Sequence, residues 1–148
     1  MITSISSPLL KIGEVAAASG LPIKTIRYYE EIGLLTPTVR RSEAGYRLFS
    51  DTVLNRLAFI RRVQGLGLSL AEIGEILQVH DRGEVPCGEV KSHLELKLQD
   101  IRQQMAALKI LETELEGLLS GWQEPPSKTA IVPTICPNIP SHIHPIDT

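Results

Sequence analysis

Between Cys87 and Leu119 the chain runs without a proline and carries one narrow apolar stripe. Leu94, Ile101, Leu108 and Leu115 recur every seven residues, and Leu98, Met105 and Leu119 each lie four residues beyond one of them. Val90 precedes the stripe and Glu112 is its one interruption. The spacing predicts a helix from about 87 to 119 with a heptad seam. So long a helix cannot cover its seam against a small domain, and no second segment of matching length is available for an internal hairpin. Pairing with a second copy is the simplest solution, so a homodimer is expected.

The segment ahead of this helix reads as a series of short elements. Residues 11–18 form a short helix, with Ile12, Val15 and Ala16 on one side and Gly20 as a left-handed stop. Pro22 fits the first turn of a second helix, about 22–32, which Gly33 ends. Two helices joined so tightly are a helix-turn-helix candidate. Short extended pieces around Arg40 and Tyr46–Phe49 flank a polar stretch ending in Gly45, the pattern of a β-hairpin or wing. Ser50 or Asp51 can cap a third helix carrying Leu54, Leu57, Ile60 and Val63. Ser69 and Glu72 form a capping box opening a fourth, with Ile73, Ile76 and Leu77 inward. The expected fold class is therefore mainly α. An extension (1–10) precedes a winged helix-turn-helix head (11–80), a dimerisation helix (81–120) and a proline-rich tail (121–148). Aromatics make up 4% of the chain, so the core should be aliphatic.

Charge separates front from back. Lys24 to Arg62 holds eight basic residues against four acids, whereas Gly83 onward holds five against nine. A basic front suggests a phosphate-facing surface that the net charge of −2 conceals. Lys24, Thr25, Arg27, Tyr28 and Tyr29 supply long donors and hydroxyls over about a turn and a half of helix, the chemistry that base edges and phosphates require. Either tyrosine could instead pack in the small core. On the wing, Arg40, Arg41, Tyr46 and Arg47 can reach the flanking backbone of a duplex. No acid–base pair, phosphate loop or nucleophile triad is visible, so an enzyme is not expected. No apolar run is long enough to span a membrane and no secretory leader is apparent, which makes the cytoplasm the expected location.

The stretches Ile12-Gly13-Glu14-Val15-Ala16, Thr25-Ile26-Arg27-Tyr28-Tyr29-Glu30, Gly33-Leu34-Leu35, Gly45-Tyr46-Arg47 and Phe59-Ile60-Arg61-Arg62 together resemble the MerR family of bacterial regulators. The resemblance covers about residues 11–119. It implies a dimer of winged heads joined by an antiparallel coiled coil, bound to a pseudo-palindrome in the spacer between two polymerase-recognition elements of a promoter. Promoter DNA and RNA polymerase would be its partners. In the family that spacer is too long for good polymerase contact, and the effector-bound dimer bends and untwists it, activating through DNA deformation. Pro22 departs from the family, which usually has a polar capping residue there.

The effector end is carried by Cys87 and Cys136, the two cysteines of the chain. A structural disulfide is not expected between thiols in a reducing compartment. In the family's metal sensors a cysteine at the start of the long helix, as Cys87 is, marks a response to divalent ions. Ile135-Cys136-Pro137-Asn138-Ile139 is similar to their cysteine-containing loop, but the family's earlier loop cysteine is absent, since Pro126, Ser127 and Lys128 stand there. His142 and His144 instead complete a Cys-x5-His-x-His pattern with Cys136. Thiolate and imidazole suit tetrahedral Zn2+, the first choice, and also Cd2+ or Co2+, with Hg2+ and Pb2+ as further candidates. The expected ligand set is Cys87 of one protomer with Cys136, His142 and His144 from the tail of its partner. His80 and His93 read mainly as surface residues. Two alternatives share the scaffold: a thiol sensor of electrophiles or oxidants, and a protein-interaction adaptor. Two cysteines are too few for an iron–sulfur cluster, and no drug-binding domain is expected behind the helix.

Overall fold

A computed structural model describes residues 8–124 and 135–140. In chain order it contains β1 (Leu10–Lys11), α1 (Ile12–Ser19), α2 (Ile23–Glu31), a 3-10 turn (Thr36–Thr38), β2 (Val39–Arg41), β3 (Arg47–Phe49), α3 (Thr52–Gly65), α4 (Leu70–Asp81) and α5 (Cys87–Ser120). The winged helix-turn-helix head and the long helix behind it are as the sequence predicts. By contacts the chain divides into two units at Leu98 and Gln99.

In the first unit the three strands pair antiparallel in the order β1-β3-β2, with Leu10 opposite Phe49 and Val39 opposite the same residue on the other side. The wing is thus a hairpin with a third, two-residue strand on its edge. Sequence reading assigned Leu10 to an extension, because a strand this short has no periodicity to read. The core joins Val15 of α1, Ile26 and Tyr29 of α2, Phe49 of β3, Val53, Leu57 and Ile60 of α3, and Ile73 and Ile76 of α4. It is almost entirely aliphatic.

Local chemistry explains most boundaries. Gly20 adopts φ 74°, and its N–H donates to the Ala16 carbonyl, closing α1 with the left-handed residue the sequence predicts. Pro22 sits just ahead of α2 rather than within its first turn, and its carbonyl accepts from the N–H groups of Thr25 and Ile26. Lacking an N–H costs nothing at either place. At α3 the expected side-chain cap is not made: Asp51 precedes the helix without a capping bond, and only the carbonyls of Ser50 and Asp51 accept from Val53 and Leu54. The capping box of α4 is complete, with Ser69 N–H donating to Glu72 at 2.9 Å and Glu72 N–H donating to the Ser69 hydroxyl at 3.1 Å.

Arg56 is a core residue, although its charge counts toward the basic front. Its Nε–H donates to the Leu34 carbonyl, and its two terminal nitrogens grip Asp81 at 2.7 and 2.9 Å. The guanidinium therefore joins α3 to the corner after α2 and to the last residue of α4. His93 corrects a second expectation. Its side chain is only 17% exposed, with Nδ1 3.1 Å from Glu72 and Nε2 3.4 Å from Glu75, so it braces the start of α5 against α4. Val90 and Leu94 of α5 pack against the core beside it.

In the second unit, α5 continues to Ser120 with its seam uncovered: Ile101, Met105, Leu108, Leu115 and Leu119 are between 41% and 68% exposed. Among the described residues, no helix is long and apolar enough to cross a membrane.

Replacing Arg56 by Met should cost about 3 kcal/mol, because the Leu34 carbonyl and Asp81 lose their donor together. The urea midpoint measures this, and Arg56→Lys should not restore it, since an ammonium cannot form the fork. A second expectation concerns acid. The backbone N–H and hydroxyl of Ser69 hold the Glu72 carboxyl below its ordinary value, with burial opposing them and His93 adding a smaller lowering. A lowered folded-state pKa gives stability that is complete above the unfolded value and is lost as pH falls through the folded one. Glu72→Gln should therefore flatten the loss of stability below about pH 5, as followed by circular dichroism.

Candidate nucleic-acid interface and metal-ligand residues

The two faces of α2 are set by its helical period. Ile26 and Tyr29, three residues apart, turn into the core, leaving Lys24, Arg27 and Tyr28 exposed and Thr25 half-buried. Tyr28 keeps 51% of its surface open, whereas Tyr29 keeps 4%. The Tyr29 hydroxyl donates to Gln64 of α3 at 2.8 Å. Tyr29 thus leaves the set of groove-facing candidates. Its ring fills the core while the hydroxyl reaches a polar partner at the edge, as a buried tyrosine requires.

The wing turn is held by its own polar groups. Ser42 N–H donates to the Tyr46 carbonyl at 2.9 Å, Tyr46 N–H to the Ser42 hydroxyl at 3.0 Å, and the Arg41 guanidinium to the Gly45 carbonyl at 3.2 Å. Gly45 takes φ 85°, the left-handed conformation expected of it. Arg40, Arg41 and Tyr46 are exposed, Tyr46 at 72%. Arg47 differs from them. Its Nε lies 2.9 Å from Glu30 of α2, a contact of charges without hydrogen-bond alignment, so it ties β3 to the helix.

Between α2 and the wing lies an open concavity of about 700 Å3 lined by Arg27, Arg41, Tyr46 and Arg47 together with Lys11 and Gly13. Four of the nine residues that the sequence nominates for DNA contact thus meet at one surface. Lys11 and Gly13 escaped notice because their sequence signal is that of a helix start. A cleft edged by four cationic side chains against one carboxylate, Glu14, beside an exposed helix face suits a polyanionic backbone.

The nominated metal ligands fall in different places. Cys87 is exposed and is the first residue of α5, directly after Pro86, whose carbonyl accepts from Val90 N–H. A helix start favours negative charge. Cys136 is half-buried and opens a turn in which Ile139 N–H donates to its carbonyl at 3.1 Å. Asn138 in that turn bonds to Gln123, just beyond α5, through both ends of its carboxamide. His142 and His144 lie outside the described residues. Among the described residues, no three His, Cys, Asp or Glu side chains of one chain gather closely enough to hold a metal.

A helix-turn-helix with a β wing, an exposed basic helix face and a long helix behind it define a DNA-binding regulator. The comparisons with known proteins are specific. Residues 10–79 match the family described as MerR HTH family regulatory protein, and residues 54–118 the one described as MerR, DNA binding. A mercuric resistance operon regulatory protein of Bacillus cereus is 43% identical over 108 residues, covering 73% of this chain and 81% of its own. Among solved structures, the transcription regulator PbrR691 from Ralstonia metallidurans CH34, in complex with lead(II), superposes with a TM-score of 0.68 at 36% identity, covering 80% of this chain and 91% of that one. HiNmlR, a MerR family regulator lacking the sensor domain and bound to promoter DNA, superposes at 0.52 and 29% identity, covering 76% and 85%. The chain belongs to the MerR family.

Two substitutions separate the faces of α2. Arg27→Ala should weaken operator binding by about 1–3 kcal/mol in a fluorescence-anisotropy titration. Tyr29→Phe should leave that titration unchanged while lowering stability by roughly 1 kcal/mol through the lost bond to Gln64.

Proposed function

We propose that this protein is a metal-responsive transcriptional activator that binds a promoter spacer as a homodimer and distorts it when a divalent ion is bound. The observation that carries the reading is the placement of the two thiols. Cys87 opens α5, and Cys136 sits in a turn bonded to the chain just past the end of the same helix. In an antiparallel pair of α5 helices the start of one meets the end of the other, so Cys87 of one protomer would face the partner's Cys136. The uncovered seam on α5 is the surface such a pair would bury. Lead(II) and mercury(II) bound in structures of relatives support a metal effector.

Thiolates with His142 and His144 form a donor set suited to Zn2+, with Cd2+, Co2+, Hg2+ and Pb2+ as further candidates. In this reading the ligands draw the proline-rich tail of one protomer to the start of the other's α5. His93 passes the resulting shift into α4, and Arg56 couples α4 to α2. The two heads would then change their relative angle and deform the spacer, bringing the promoter elements into line for RNA polymerase. On DNA, Lys24, Thr25, Arg27 and Tyr28 would enter the groove, and Arg40, Arg41, Tyr46 and Arg47 would reach the flanking backbone.

In vitro transcription from the cognate promoter, with Zn2+, Cd2+, Co2+, Hg2+ and Pb2+ added in turn, tests the reading. Cys87→Ser and Cys136→Ser should each abolish the response and leave operator binding intact. Activation by an oxidant in metal-free buffer, with no response to any of the five ions, would overturn the metal reading in favour of thiol sensing. Operator affinity should also fall steeply with salt, whereas a flat response would point to an adaptor.

A further inference from the structure

We propose that Asn138 is a positioning residue whose carboxamide clasps the Cys136 turn to the chain leaving α5. Gln123 N–H donates to the Asn138 Oδ1 at 2.9 Å, and the Asn138 Nδ2–H donates back to the Gln123 carbonyl at 2.8 Å. The two bonds engage both backbone groups of one residue, as a neighbouring β-strand would. Only a carboxamide offers an acceptor and a donor at the required spacing. Aspartate keeps the acceptor but presents a second oxygen to the Gln123 carbonyl, and leucine keeps the shape with neither group.

The clasp bears on Cys136 because the turn between them is short and stiff. Cys136, Pro137, Asn138 and Ile139 form a β-turn closed by Ile139 N–H on the Cys136 carbonyl, with Pro137 at its second position. Proline presets φ there. The thiol is therefore two residues from the clasp and carried by a turn with little freedom. The clasp also holds residues 15 apart in sequence together before any ligand arrives. A ligand that uses Cys136 then has less chain entropy to remove on binding.

This inference rests on the metal reading for its functional half, while the clasp itself can be tested without metal. The experiment compares the full-length protein with Asn138→Leu. Amide exchange at Gln123 should be slow in the wild type and at least several-fold faster in the variant. In a Cys87→Ser background, iodoacetamide should alkylate Cys136 several-fold faster once the clasp is removed. Zinc affinity, measured with both cysteines present against a chromophoric chelator, should drop about tenfold, the scale on which a residue supporting a metal ligand acts. Metal-free operator affinity should be unchanged, showing that the head is folded.

Unaltered Gln123 exchange would overturn the clasp. Lost protection with unaltered zinc affinity would overturn its positioning role. A wild-type protein that binds no zinc would count against the zinc reading alone, and Gln123 exchange and Cys136 alkylation would then decide the clasp.

Discussion

The head depends on one buried guanidinium. Arg56 supplies three nitrogens to two partners that are distant in sequence, the Leu34 carbonyl and the Asp81 carboxylate. Burying an arginine is unfavourable unless its donors are met, and here the planar fork meets a carboxylate end-on while its Nε takes a backbone acceptor. Leu34 follows the helix that faces outward, and Asp81 ends the helix that precedes α5. Arg56 thus ties both the corner after α2 and the end of α4 to α3. Glu30 with Arg47 extends the network to the wing, and His93 with Glu72 and Glu75 extends it into α5.

This arrangement leaves the head with a rigid interior and a polar exterior. The first unit buries aliphatic residues of α1, α2, α3 and α4, and Arg27, Arg41 and Arg47 line the concavity beside the wing. Along α2 the helical period groups Ile26 with Tyr29 and sets Arg27 and Tyr28 apart, and packing in the core decides which face goes inward. Members of a family of DNA-binding regulators need such a helix to be held from behind, because a groove-facing side chain is only as well placed as the backbone that carries it.

How far function was legible varied by residue. Arg27, Arg41 and Tyr46 stand exposed, as their nomination for DNA contact requires, and Tyr28 joins them only because its neighbour takes the core position. Tyr29 could not be read directly, because its sequence context is nearly that of Tyr28 and one step around the helix decides between solvent and core. Arg47 read only as a phosphate donor, yet β3 also brings it beside Glu30, a pairing across 17 residues that no local pattern announces. Arg56 hid among the surface arginines of its own helix for the same reason. For the effector end, Cys87 and Cys136 stood out by scarcity, whereas Asn138 has no motif, and its partner Gln123 contributes only backbone atoms.

Sequence alone determined the order of the five helices and the wing hairpin, the capping box at Ser69, the left-handed glycines at 20 and 45, the heptad seam and the winged helix-turn-helix class. All of these rest on interactions between residues a few positions apart, or on a period that repeats along one element. Tertiary structure decided which tyrosine faces outward, that Arg56 is spent inside the head, that β1 closes the edge of the wing, and that the Cys136 turn is tied to Gln123. Those outcomes depend on contacts between distant segments, where burial makes the geometry of a single hydrogen bond matter more than the identity of the neighbours in the chain.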